Sequence, residues 1–339
     1  MRLLLSLLTY LSVIGVSAKS PALSPQDAVQ KAGLAAETPA KPPAIKPAPK
    51  PKRPPTLPNV AYGTHERQVL DFYGAQSDKP TPLLFHIHGG GWVRGDKERF
   101  VELEACLAAG ISVVSINYRY TQQAQLAGVM PPVQWPMEDA TRALQFVRSK
   151  ATEWNIDKAR IGASGTSAGA CSSLYLAFHP DMADPKSSDP IARESTRLWC
   201  AAVNGAQTSL DPKQLKEWTP NSRYGGHAFG FMDPNNLQTR DTQFTEFLVN
   251  RESVLKWIKM YSPFELVSQG DSPVYLKYTD QPALGQPQKD PTHTVNYGVK
   301  LQEHCRANGV ECELNYPGAP DIKHASIAAY LIAKLKASK

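Results

Sequence analysis

The sequence predicts an α/β domain with a mostly parallel central sheet, helices on both faces and one insertion. Three observations predict it. From about Val60 onward, short apolar or β-branched runs alternate with longer segments of helical spacing, the rhythm of strand–helix–strand units. Two glycine-rich turns, His88–Gly91 and Gly165–Gly169, each follow directly on such a run. Between about Gln207 and Gln269 the alternation stops, and afterwards it resumes.

Taken in order, the chain begins with Met1-Arg2, an apolar stretch over Leu3–Val16 and the small residues Ser17-Ala18. A basic start, a short apolar run and small residues at its end describe a cleavable export signal over 1–18. The apolar run is too short for a comfortable membrane span. Residues 19–58 form a spacer rich in Pro, Ala and Lys, with eleven prolines between Ser20 and Pro58. Such a stretch lacks the apolar surface to offset its ordering entropy, and proline stiffens it.

The globular part, 59–339, then reads as follows. Leu83–His88 is an apolar strand, Phe100–Ala109 a helix stopped by Gly110, and Ile111–Asn117 a β-branched strand. Pro136–Ala151 carries Met137, Ala140, Leu144 and Val147 at helical spacing. Arg160–Ala163 is a short strand and Ala168–Phe178 an apolar helix. Leu198–Asn204 and Val274–Tyr278 are strands, Val295–Asn308 a helix stopped by Gly309, Val310–Tyr316 a strand and Ala325–Lys336 the last helix. The intervening segment, about 207–269, holds Trp218, Tyr224, His227, Phe229, Phe231, Phe244, Phe247 and Trp257 among turn-formers. It reads as a cap whose aromatics mostly form its own core, while a few wall a substrate pocket.

The net charge of +6 suggests a nucleic-acid partner until it is located. Residues 1–58 hold eight basic and two acidic groups, which account for all of it. The globular part is neutral, so nucleic-acid binding has no support. Five cysteines are an odd number for an exported chain. Cys106 and Cys171 lie in apolar helical patterns and read as small buried hydrophobes. Cys305 and Cys312 flank a helix-to-strand turn and are candidates for a single disulfide. No histidine or cysteine spacing fits a zinc site, and no metal or organic cofactor is expected.

Two motifs carry the chemistry. Gly165-Thr166-Ser167-Ala168-Gly169 follows a strand and opens a helix. A sharp turn there strains the backbone at Ser167 and lifts its hydroxyl above the sheet, as a nucleophile requires. Ser164 and Ser172 lack the flanking glycines and read as structural. His88-Gly89-Gly90-Gly91-Trp92 also follows an apolar strand. Its glycines let the backbone approach a substrate closely. The N–H groups of Gly90, Gly91 and Ala168 are the candidate oxyanion donors. His88 is expected to tie the loop down, and His86 to be a packed core residue.

These motifs, with Val114–Arg119, Pro136–Asp139 and Ile156-Asp157 before Arg160-Ile161, make residues 60–338 resemble the α/β-hydrolase esterases of the hormone-sensitive-lipase and feruloyl-esterase-like group. The resemblance implies the chain order serine, acid, histidine. His293, His304 and His324 then compete for the general base, and His324 occupies the loop where the group places it. The acid is expected just beyond the strand at Val274–Tyr278. Asp280 lies two residues past it, and Asp290 is the rival because this loop is longer than usual in the group.

The resemblance therefore implies a serine carboxylesterase with Ser167, Asp280 and His324 as its triad, acting through an acyl-enzyme on small or polysaccharide-linked esters. The export signal places it outside the cytoplasm, secreted or periplasmic, without stable membrane insertion after cleavage. An amidase or peptidase on the same scaffold and a non-catalytic binding protein are the alternatives.

Overall fold

The apolar runs become one eight-stranded sheet in a computed structural model that describes residues 53–98, 100–233 and 236–337. Its strands are β1 (Leu57–Ala61), β2 (Val69–Tyr73), β3 (Thr81–Ile87), β4 (Ser112–Ile116), β5 (Ile156–Thr166), β6 (Cys200–Asn204), β7 (Val274–Lys277) and β8 (Cys312–Asn315). They lie in the order β1-β2-β4-β3-β5-β6-β7-β8. Only the pairs β1–β2 and β2–β4 are antiparallel; every other pair is parallel. The helices are α1 (Leu103–Ala108), α2 (Thr121–Leu126), α3 (Gln134–Ser149), α4 (Ala168–Phe178), α5 (Pro212–Trp218), α6 (Arg240–Val249), α7 (Arg251–Tyr261), α8 (Pro263–Leu266), α9 (Val295–Ala307) and α10 (Ile327–Lys336).

Parallel strands covered on both faces must be apolar on both, and these are. Every residue of β3 is buried. Leu83, Phe85 and Ile87 point into the larger core with Val114, Ile161, Ala163, Val203 and Leu276. Leu84, on the other face, packs with Val113, Ala202 and Tyr275 under Cys106, Tyr330 and Leu335 of α1 and α10. Helix α4 is buried along its whole length, which explains why its sequence is apolar all round rather than striped.

Two of the expected boundaries differ from the observed ones. The short strand expected at Arg160–Ala163 extends over eleven residues, Ile156–Thr166, because it is central and pairs on both sides. The spacer expected through residue 58 ends earlier, since Leu57 and Pro58 already belong to β1. The export signal at 1–18 and the spacer up to residue 52 lie outside the described residues. Between β6 and β7 the chain runs through α5 to α8, and Leu210, Trp218, Tyr224, Phe229, Phe244 and Phe247 there join the larger core. Cys106, Cys171, Cys200 and Cys305 are buried, and all five cysteines are free thiols. Cys305 and Cys312, the candidate disulfide pair, are both free thiols.

The topology decides where chemistry can sit. The chain leaves β3 toward β4 on one side and places β5 on the other. Loops that follow strands on the two sides of such a reversal diverge, and the crevice between them is where open α/β sheets bind ligands. Ile87 and Gly165 are register partners, so the loops after β3 and β5 start side by side.

Candidate active site

Ser167 stands between β5 and α4 with φ 56° and ψ −123°. A non-glycine residue at positive φ costs energy and persists only where its surroundings force it. The surroundings here are tight. A Cβ at Gly165 would lie 2.4 Å from the Gly169 backbone, and one at Gly169 would lie 2.1 Å from the Ile87 carbonyl oxygen. The two flanking glycines are therefore what lets the serine turn sit on the end of β3. The Ser167 N–H donates to the Asn204 carbonyl at the end of β6 (3.0 Å), which fixes the turn from the other side.

The glycine loop after β3 packs directly against this turn. A Cβ at Gly89 would come within 3.5 Å of the Ser167 Cβ. Gly90 has φ +106°, and a side chain there would strike the Arg94 carbonyl. Behind the loop, Trp92 is fully buried and donates from Nε1 to Ser172 Oγ (3.0 Å). The Tyr118 hydroxyl donates to the His88 carbonyl (2.9 Å), and its ring stacks on His88 at 4.2 Å. Burial lowers the His88 pKa to about 4 and that of His86 to about 3, so both imidazoles are neutral pieces of scaffold. His86 meets Ser164 Oγ at 3.0 Å and stacks on Phe100. Asp139 of α3 grips Arg119, the residue after Tyr118, through its backbone N–H and its guanidinium. The N–H groups of Gly90, Gly91 and Ala168 make no protein hydrogen bond among the described residues.

The imidazole beside Ser167 belongs to His293. Its Nε2 is 2.9 Å from Ser167 Oγ, and its Nδ1 is 2.8 Å from Asp290 Oδ2. The carboxylate can only accept, so Nδ1 carries the proton and Nε2 is left to accept from the serine hydroxyl. Asp290 also accepts from the backbone N–H groups of Thr292 (3.1 Å) and His293 (3.2 Å). Partial burial opposes its ionisation, but the His293 bond and charge and these two donors outweigh it and hold the carboxyl below its usual range.

His324, the expected base, is elsewhere. Its Nδ1 bonds Glu313 Oε2 (2.7 Å), its backbone N–H bonds Glu313 Oε1, and its carbonyl accepts from Tyr275 Oη and Asn315 Nδ2. Its ring meets the edge of Tyr330 of α10. Both tyrosines belong to the core on the α1–α10 face, so the short link after β8 is drawn to that side and away from the serine turn. Asp280, the expected acid, is exposed and stands outside the line Ser167–His293–Asp290. The rival Asp290 is the carboxylate that meets an imidazole at the serine.

The long segment between β7 and α9 delivers both groups, and the insertion holds it in place. Asn221 exchanges two hydrogen bonds with the backbone of Gln288 (2.8 and 2.9 Å). Gln207 Nε2 donates to the Thr292 carbonyl (2.8 Å), and the Tyr297 hydroxyl to the Pro291 carbonyl (2.6 Å). Gly205, at the end of β6, lies against the His293 ring, where a Cβ would be 3.4 Å away. The sequence signal for this arrangement is the pair Asp290 and His293 itself. Three residues apart, immediately before the Thr294 cap of α9, they can meet within one turn of chain.

The profile of the BD-FAE family matches residues 70–286. Among curated relatives, "Gut esterase 1" of Caenorhabditis elegans is 30% identical over 165 residues, 46% of this chain and 28% of that protein. An "Esterase" of Fusarium pseudograminearum is 28% identical over 242 residues, 70% of this chain and 64% of that protein. The chain thus spans less than two thirds of the length of these relatives. A solved acetyl ester-xyloside bifunctional hydrolase from Caldicellulosiruptor lactoaceticus superposes with a TM-score of 0.53 at 24% identity, covering 73% of this chain and 76% of its own. That likeness is one of fold. With the family profile covering more than half of its length, the chain belongs to the BD-FAE family and has the α/β-hydrolase fold.

Proposed function

We propose that the protein is a serine carboxylesterase in which Ser167 is the nucleophile, His293 the general base and Asp290 the residue that orients it. The observation that carries this reading is the continuous line from Ser167 Oγ through both nitrogens of His293 to Asp290 Oδ2, at 2.9 and 2.8 Å, beside a glycine loop with free N–H groups.

His293 Nε2 takes the hydroxyl proton as Ser167 attacks the ester carbonyl, and Asp290 stabilises the imidazolium that forms. The negative oxygen of the tetrahedral intermediate is received by the N–H groups of Gly90, Gly91 and Ala168, the last at the start of α4 where the helix dipole adds to them. The proton returns from Nε2 to the leaving alcohol. Water then enters, His293 takes its proton, and the acyl-enzyme is hydrolysed with release of Ser167.

Ester bonds are the favoured substrate class because the relatives in the comparisons are named as esterases. Short acyl groups, free or attached to polysaccharide, are the substrates proposed, and an acetyl ester-xyloside hydrolase shares the fold. The N-terminal sequence supports export to a secreted or periplasmic location, and no described helix is long and apolar enough to cross a membrane. The test is turnover of p-nitrophenyl esters of graded acyl length by the wild type and by Ser167→Ala. Unchanged turnover in the alanine variant would remove the nucleophile from this account.

A further inference from the structure

Asp290 and His293 form a local unit. The Asp290 carboxylate accepts from the backbone N–H groups of Thr292 and His293 (3.1 and 3.2 Å) and from His293 Nδ1 (2.8 Å). The His293 N–H also reaches the Asp290 carbonyl (3.3 Å). All of these bonds close within one turn of chain. Such a unit can stay whole and still stand at the wrong distance from a serine 126 residues away. Where it stands is decided by bonds that enter the segment from outside.

Gln207, just beyond β6, makes such a bond next to the base. It is fully buried, and its Nε2 donates to the Thr292 carbonyl (2.8 Å) and, at 3.4 Å, to the Gly205 carbonyl. These two acceptors hold His293 from two sides. Thr292 precedes it in the chain, and Gly205 lies against it, where a Cβ would be 3.4 Å from His293 Cβ and Cδ2. The turn at Gly205 is itself pinned to the sheet. The Gly205 N–H donates to the Lys277 carbonyl (2.8 Å), and the Tyr278 hydroxyl donates to the Ala206 carbonyl (2.8 Å). The Gln207 amide thus ties a pinned turn to the residue before the imidazole. Both of its targets are carbonyls, so only the NH2 end can face them. The other end, Oε1, is buried and meets no protein donor among the described residues. An unmatched buried carbonyl costs stability, so packing alone would favour an apolar side chain here. What the amide offers in its place is the N–H pair.

We propose that Gln207 is a positioning residue for the general base, one that sets the distance from His293 Nε2 to Ser167 Oγ while the His293–Asp290 bond forms by itself. The inference rests on the esterase reading and deepens it. Proton transfer from the serine needs the 2.9 Å contact, and a displacement on the order of 1 Å in such a contact costs about 100-fold in rate. Without the amide the segment keeps its anchors at Gln288, from Asn221, and at Pro291, from Tyr297. The freedom regained falls on Thr292 and His293. The effect belongs in kcat rather than KM, because the glycine loop and the turn that carries Ser167 are untouched.

The test replaces the amide in Gln207→Met, close in length and without N–H groups. With p-nitrophenyl acetate, kcat is expected to fall by about 10- to 100-fold while KM changes by less than about threefold, at a temperature where the variant is folded. Gln207→Asn keeps an amide too short to reach the Thr292 carbonyl and is expected to show the same loss. Gln207→Glu, whose buried carboxyl keeps its proton and can still donate to that carbonyl, is expected to retain most of kcat. In a His293→Ala background, Gln207→Met should change the residual rate by less than about twofold, whereas a general loosening of the fold lowers it there too. The rate at which a fluorophosphonate labels Ser167 gives a readout without an ester, and it is expected to fall with kcat. A wild type that takes the phosphonate but hydrolyses no ester, with slower labelling in Gln207→Met, upholds the positioning role and removes the ester reading. Unchanged kcat and labelling in folded Gln207→Met and Gln207→Asn proteins overturn the positioning role and leave the reaction standing. So does an equal loss in the His293→Ala background.

Discussion

His293 Nε2 lies 2.9 Å from Ser167 Oγ across a sequence separation of 126 residues, and nothing but the fold brings them together. β5 delivers the serine, and the long segment after β7 delivers the imidazole. The first prediction tests this pairing against the position of His324. Ser167→Ala and His293→Ala are each expected to lower kcat/KM for a p-nitrophenyl ester by about 10⁴-fold or more, the scale of triad deletions elsewhere. His324→Ala is expected to keep most activity and lose stability, about 1–3 kcal/mol, because Glu313 Oε2 loses the imidazole N–H. Loss of activity in the His324 variant at unchanged Tm would contradict the assignment.

Asp290 fixes the tautomer of His293, so Asp290→Asn should leave the protein folded and lower kcat by about 10⁴-fold, as an amide can donate to Nδ1 and turn the proton to the wrong nitrogen. Asp280→Asn, at an exposed position outside the site, should change kcat little. Steady-state kinetics on the two variants separates the two candidate acids.

The pH dependence of stability carries a sign. The Asp290 pKa is lowered in the folded state, so its bonds stabilise the protein above the ordinary carboxylate range. That contribution disappears as pH falls through the depressed folded value, when the carboxyl protonates. Asp290→Asn should therefore flatten the acid side of a Tm-against-pH profile and lower Tm at neutral pH. An acid limb identical in slope to the wild type would show that Asp290 does not contribute.

Close approach at the serine turn predicts the cost of a single methyl group. In Gly169→Ala the new Cβ would lie 2.1 Å from the Ile87 carbonyl, so β3 and α4 must separate. The expected loss is about 1–3 kcal/mol of stability, with loss of activity as Ser167 shifts. Denaturant unfolding beside the ester assay checks both.

A buried ion pair next to the glycine loop offers a test independent of catalysis. Lys97 Nζ is 3.0 Å from Asp71 Oδ2, with side-chain exposures of 6% and 5%. Lys97→Met alone leaves an uncompensated carboxylate and should cost about 3–5 kcal/mol. Adding Asp71→Asn should recover part of that loss, and a double-mutant cycle in urea measures how much.

The extent to which this protein is legible in its sequence follows from the range of each interaction. Ser167, Gly165 and Gly169 are readable because the strained turn is made within five residues and needs glycine at two of them. The glycine loop is likewise local, and its meeting with the serine follows from β3 and β5 being neighbours. The strands and helices are readable because alternation on the two faces of β3, β4 and β6 is set by the core each side chain enters.

The imidazole that meets Ser167 was decided by tertiary structure alone. Both His293 and His324 have a carboxylate at hydrogen-bond distance, so local chemistry does not distinguish them. What distinguishes them is the length of the segment after β7, the bonds from Asn221 and Gln207 that draw it toward the serine, and the packing of His324 with Tyr330 on the opposite face. Contacts of that kind join residues far apart in the chain, and their outcome depends on how whole elements pack rather than on any short pattern.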